Sequence, residues 1–266
     1  YIYAYSNLGS TFYKSRTLEK SVIWFKRALI LDPLYYNAYF NLGVCNKELE
    51  MYDAAICNYN RALQLKLDYA QAHNANGQTL RLTGNTKASE KSFRLAMGAD
   101  PFYISPYINL GVILSEQKRH HEAINIIRNA ILIEPSNGRA YNNLGTTLNA
   151  LGQNQQAVYS LIKALKIAPA SFIYKNLGIL LKSTKINQFS NSSAQMFIDI
   201  LDFETLLRPN NLIQPIIHLL HNHPTLTEVL SKSDEDIFAQ SFDICSRLSQ
   251  IPLFRKILEI CPIPDL

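Results

Sequence analysis

The pair Leu8-Gly9 recurs as Leu42-Gly43, Leu110-Gly111 and Leu144-Gly145, with Asn76-Gly77 in the intervening place, and each step is 34 residues. A further copy, Leu177-Gly178, follows after 33. The missing residue falls between Pro169 and Tyr174, in a connection, where a deletion costs least. A chain built on a beat of this length folds as stacked copies of one small unit. A single copy cannot bury its apolar face alone, and stacking makes the core continuous.

Other positions keep the same time. Tyr5, Tyr39, His73, Tyr107, Tyr141 and Tyr174 stand three residues before the Leu position of each copy. Ala28, Ala62, Ala96, Ala130 and Ala164 stand twenty residues after it, and units close with Pro33, Pro101, Pro135 or Pro169, Leu67 being the exception. Ala38, Tyr39, Leu42, Leu49 and Tyr52 are spaced for one helical face, and Ala55, Ile56, Tyr59, Ala62 and Leu63 for the next. Gly43 and Ala62 are expected where two helices approach too closely for a larger side chain. The prolines cannot continue a helix interior and so mark the joints between units.

A 34-residue period with this aromatic, Leu-Gly, Ala and Pro spacing resembles the tetratricopeptide repeat (TPR). The resemblance covers residues 2–182, as five units and the first helix of a sixth. It implies an all-α fold, a right-handed α-solenoid of helix pairs, whose first helices line a concave surface that binds other proteins. We therefore expect an array over 1–182. Residues 183–266 should hold a degenerate repeat and a C-terminal helical cap or partial helical domain. The polar stretch from Ser183 to Ser193 reads as a loop, and Ala194, Phe197, Ile198 and Leu201 have helical spacing. The start at Tyr1 and the abrupt apolar end ICPIPDL read as a piece of a longer chain.

Charge supports the division: residues 1–182 carry +9 and residues 183–266 carry −4, within a total of +5. The excess is mild and has no Lys/Arg runs, which argues against nucleic acid as a partner. No run approaches the roughly 18 apolar residues of a membrane helix. Cys45, Cys57, Cys245 and Cys261 lack the spacing of a zinc site and read as free, buried, small hydrophobes in a reducing, cytoplasmic setting. His218, His221 and His223 cluster without a cysteine or carboxylate to complete a metal site, and His120-His121 read as exposed in a turn. No phosphate-loop, dinucleotide or nucleophile-elbow motif is present. The expectation is a binding scaffold with no catalytic residue, cofactor or metal.

The candidate binding residues form a ladder. Asn7, Asn41, Asn109, Asn143 and Asn176 each precede the Leu-Gly pair, with Ala75 breaking the series. An amide both donates and accepts, so it can hold a peptide backbone without demanding a sequence; turn support between helices is the alternative. The resemblance also projects Lys14, Lys47, Arg81, Arg139 and Lys175 to the inner face, which would suit an acidic or carboxylate-bearing peptide. The clamp of chaperone-binding members is incomplete. Its positions hold Ser6, Phe40, Asn74, Ile108 and Asn142 with Ser10, Val44, Gln78, Val112 and Thr146. A rival reading makes the chain the non-catalytic arm of a bacterial transferase. The asparagine-rich helices look like those of O-linked N-acetylglucosamine transferases, and Phe203–Leu266 looks loosely like the helical stretch of S-adenosylmethionine-dependent methyltransferases. A third has the chain self-associate through its exposed ends, Tyr1, Ile2 and Tyr3.

Overall fold

The computed structural model describes residues 1–183, 223–230, 248 and 250–252. The described residues form helices and turns. In chain order the helices are α1 (Ile2–Lys14), α2 (Leu18–Leu31), α3 (Tyr36–Glu48), α4 (Tyr52–Leu65), α5 (Ala70–Leu82), α6 (Thr86–Ala99), α7 (Ile104–Glu116) and α8 (His120–Ile133). They continue as α9 (Gly138–Ala150), α10 (Asn154–Ile167), α11 (Ser171–Ser183) and the short α12 (Pro224–Leu230). The chain divides into two compact units, Tyr1–Pro135 and Ser136–Leu266. The first holds four helix pairs, α1–α8; the second holds the pair α9–α10, then α11 and α12. The boundary expected at 182/183 falls where the description stops. The helical spacing at Ala194, Phe197, Ile198 and Leu201 lies outside the described residues.

Each pair is locked at one point. A Cβ added to Gly9, Gly43, Gly77, Gly111 or Gly145 would lie 2.5–2.8 Å from Phe25, Tyr59, Phe93, Ile127 or Leu161, the residue sixteen further on. Real Cβ atoms do not come so close, so the glycine lets a bulky side chain of the second helix lie flat on the first. Ala28, Ala62, Ala96, Ala130 and Ala164 are completely buried, as their spacing implies. Ser21 and Ser89 exploit the same closeness: their hydroxyls donate to the carbonyls of Gly9 (2.7 Å) and Gly77 (2.6 Å).

The turn inside each pair has its own rule. Arg16, Glu50, Gly84, Lys118 and Gly152 occupy the same place in successive units, and all five have φ between 59° and 78°. Only two are glycine, so three units carry left-handed backbone on residues that tolerate it poorly. This turn ends α3 at Glu48. Tyr52, grouped from its spacing with Ala38 and Leu42, instead opens α4.

Departures from the repeat bring hydrogen bonds of their own, although Asn76 Oδ1 is buried without a partner among the described residues. Tyr107 donates its hydroxyl to the carbonyl of Pro101 (3.0 Å). Where the pattern reads His and Leu instead, His73 Nε2 bonds the carbonyl of Leu67 at 2.9 Å. Asn76, in a leucine position, is buried and donates to Asn60 (3.0 Å).

Two expectations are corrected. Cys45 is buried, but Cys57 is exposed on α4, off the face formed by Ala55, Tyr59 and Ala62; Cys245 and Cys261 lie outside the described residues. His120 and His121 are not in a turn but open α8, His120 half-buried and His121 exposed. Among the described residues no three His, Cys, Asp or Glu side chains gather as metal ligands. His223 lies before α12, where its Nδ1 accepts from the Thr225 amide (3.2 Å); His218 and His221 are outside the described residues.

Candidate functional site

In the Tyr1–Pro135 unit, first helices touch their successors directly: α1 on α3, α3 on α5, α5 on α7. Second helices make fewer such contacts with their successors, so neighbouring repeats meet more closely on the first-helix side. Tyrosines at the joints tie it together. Tyr69 sits edge-on to Tyr36 (centroids 5.3 Å), lies against Phe40 (5.0 Å) and donates its hydroxyl to Asn37 Oδ1 (3.2 Å). Burial, with Tyr36 and Tyr35 nearby, pushes the Tyr69 phenol up to about 12. Lys66 stands over the rings of both Tyr36 and Tyr69, 5.1 and 5.4 Å from their centroids.

The asparagine ladder lies on these first helices but is not uniform. Asn7 is exposed and Asn41 half-buried, and neither side-chain amide bonds another described residue. Asn109, half-buried, donates to Asn74 Oδ1 at 3.0 Å, and Asn74 donates to the Tyr103 hydroxyl at 3.2 Å. In the Ser136–Leu266 unit, Asn176 donates to Asn142 Oδ1 at 2.9 Å, and Asn142 to Asn143 Oδ1 at 3.3 Å. Asn109 and Asn176 therefore each join one first helix to the preceding one. Asn74 and Asn142, which the sequence offered only as unfilled clamp positions, are their partners.

Two of the five basic candidates, Arg81 and Lys47, are engaged. Arg81 pairs with Glu116 through two nitrogens, Nε at 3.3 Å. Lys47 lies 3.4 Å from Glu48, which also lies 3.8 Å from Arg16. Arg139, Lys14 and Lys175 are exposed. Lys14, Lys47 and Arg81 sit in the last turns of α1, α3 and α5, Arg139 in the first turn of α9, and Lys175 within α11. One helical turn after the ladder the face carries no charge: Ser10, Val44, Gln78 and Val112 are all half-buried. An unpaired charge placed there would lose water without gaining a partner.

A four-member ion network joins α6 to the start of α8. Glu90 accepts from Arg94 (2.9 Å) and Arg119 (2.7 Å), and Glu122 from Arg119 (2.6 Å) and Arg94 (2.5 Å). Burial disfavours ionised Glu90, but the hydrogen bonds from Arg119 and Arg94 outweigh it and hold its carboxyl below the usual range. Glu122 is lowered by hydrogen bonds from the same two residues.

Comparison with known proteins agrees with this architecture. Residues 36–69, 104–137 and 138–171 match the tetratricopeptide repeat family, in register with the helix pairs. The human Tetratricopeptide repeat protein 6 is 24% identical over 159 residues, covering 59% of this chain and 31% of that protein. The human Protein O-mannosyl-transferase TMTC1 is 28% identical over 169 residues, covering 61% of this chain and 18% of that protein. The chain thus spans about a third or less of these relatives. Among solved structures, YrrB, described as a TPR protein with an unusual peptide-binding site, superposes with a TM-score of 0.53 at 21% identity, over 64% of this chain and 87% of that one. That likeness is one of fold. The described residues form stacked helix pairs, three of which match the tetratricopeptide-repeat model, and no described helix is long and apolar enough to cross a membrane.

Proposed function

We propose that the inner face of the Tyr1–Pro135 unit holds an extended segment of a partner protein, with Asn7 and Asn41 gripping its backbone. The observation that carries this reading is the contrast within the ladder: Asn109 is bonded to Asn74, whereas Asn7 and Asn41 keep their amide donors and acceptors available. The peptide-binding description of YrrB supports it by analogy of fold. An acidic partner draws less support than the sequence suggested, since Arg81 and Lys47 already face carboxylates. The test is selection of 12-residue peptides from a displayed random library against the purified chain. Enriched peptides should bind the Asn7→Ala/Asn41→Ala variant at least tenfold more weakly. Equal binding to both would place the site elsewhere.

A second reading rests on the match to the O-mannosyl-transferase: the array would be the recruiting arm of a larger transferase and do no chemistry itself. The methyltransferase version depends on Phe203–Leu266, which falls almost wholly outside the described residues. Fusing the array to an unrelated catalytic domain separates the readings. A recruiting arm should lower KM for substrates carrying a selected peptide and leave kcat unchanged, and an unchanged KM would remove this reading.

A further inference from the structure

The face proposed to hold a peptide is not the same from step to step. Two positions on each first helix, one turn apart, flank the ladder. On α3 they are Phe40 and Val44; on α5, Asn74 and Gln78; on α7, Ile108 and Val112. On α1, Ser6 and Ser10 are polar again. The unit therefore alternates polar, apolar, polar, apolar along its inner side. Phe40, Val44 and Val112 are half-buried, so each apolar step keeps surface open to the inside. Asn74, at the polar step between them, is committed to Asn109 and Tyr103. None of these positions is charged; of the basic residues near the helix ends, Arg81 is paired with Glu116 and Lys47 with Glu48, whereas Lys14 is exposed at the end of α1.

From this alternation, and resting on the peptide-groove reading above, we infer that the face selects an extended, uncharged segment carrying two bulky apolar side chains six residues apart. The spacing follows from packing. Helices in direct contact lie about 8–10 Å apart, so α3 and α7, with α5 between them, are about 16–20 Å apart. An extended chain rises about 3.3 Å per residue and covers that span in about five to six residues. Side chains of an extended chain alternate sides, so two that face the same floor are an even number apart. Five is excluded by parity, and six remains. The uncharged floor complements an uncharged segment, because a carboxylate or ammonium would be desolvated there without a counter-charge.

The probe is a series of 13-residue peptides of Ser, Gly and Gln with two leucines placed four, five, six, seven or eight positions apart. Binding to the whole chain is read by calorimetry. The peptide with leucines six apart should bind at least tenfold tighter than those with five or seven. Val112→Asn should flatten that preference while far-UV circular dichroism is unchanged; if that variant does not fold, the isosteric Val112→Thr should weaken it. Equal affinity at five, six and seven, with Asn7→Ala/Asn41→Ala still weakening all of them, would overturn the register and leave the groove standing. Binding by none of the peptides, or binding indifferent to Asn7 and Asn41, would overturn the groove itself.

Discussion

Asn109 donates to Asn74 across two first helices at 3.0 Å, and Asn176 repeats the contact with Asn142 at 2.9 Å, two units further on. The pair gives the first-helix side a polar tie between neighbouring repeats, alongside the Tyr69–Asn37 hydrogen bond and the Arg81–Glu116 ion pair. Asn74 is 5% exposed, so its amide depends on protein partners.

Asn74→Ala should accordingly destabilise the fold by about 1–3 kcal/mol, since it removes bonds to both Asn109 and Tyr103 and leaves those groups partly unsatisfied. Urea unfolding checks this. Asn109→Ala in the Asn74→Ala background should then cost much less than alone. Additive costs would mean that the two amides do not act as a pair.

Tyr59 makes the opposite case. It is fully buried, and its hydroxyl has no hydrogen-bond partner among the described residues. Burial pushes the phenol far above its ordinary range; the neighbouring Thr79 hydroxyl pulls the other way, yet it is committed to the Ala75 carbonyl at 2.9 Å. Phe25 and Phe93 fill the same place in adjacent units. Tyr59→Phe should therefore be neutral or stabilise the chain by about 1 kcal/mol, because a buried polar group without a partner is removed. A loss above 1 kcal/mol would show that the hydroxyl is bonded.

Ala130 is completely buried where α8 meets its neighbours. Ala130→Leu should overpack that contact and cost about 1–3 kcal/mol in thermal or urea unfolding. A variant as stable as the parent would mean the contact has slack that complete burial does not suggest.

The ion network predicts an acid dependence. Glu90 and Glu122 have carboxyls held below their usual range by Arg94 and Arg119. A carboxylate whose folded-state pKa is depressed contributes stability above its unfolded value, about 4.3. That contribution disappears as pH falls through the depressed values. Between about pH 5 and pH 3 the parent should lose more melting temperature than Arg94→Gln/Arg119→Gln, and the difference should shrink in high salt. Parallel curves would show that the network contributes nothing at either pH.

The pairing of helices was readable because it depends on residues a fixed distance apart in one unit: Gly43 and Tyr59 are sixteen apart in every copy. The left-handed turn was harder to read, because Arg16, Glu50 and Lys118 stand where only Gly84 and Gly152 announce it. Cys57 shows a limit of composition, since a cysteine counts as apolar whether its helix face points in or out. The amide ties link different positions of successive units, so a search for identical residues at one period passes over them. Asn74 and Asn142 do stand 35 and 34 residues before Asn109 and Asn176, and comparing neighbouring positions would have found them. Likewise Lys47 and Arg81 read as free basic groups until Glu48 and Glu116 are placed beside them.

The most direct test of the central claim is an NMR titration of the chain with a library-selected peptide, following the side-chain amide signals of asparagine. The account predicts that Asn7 and Asn41 shift most, with Asn109 less affected and outer second-helix residues such as Asn58 and Asn125 unmoved. Shifts concentrated on the second helices, with Asn7 and Asn41 unchanged, would contradict it.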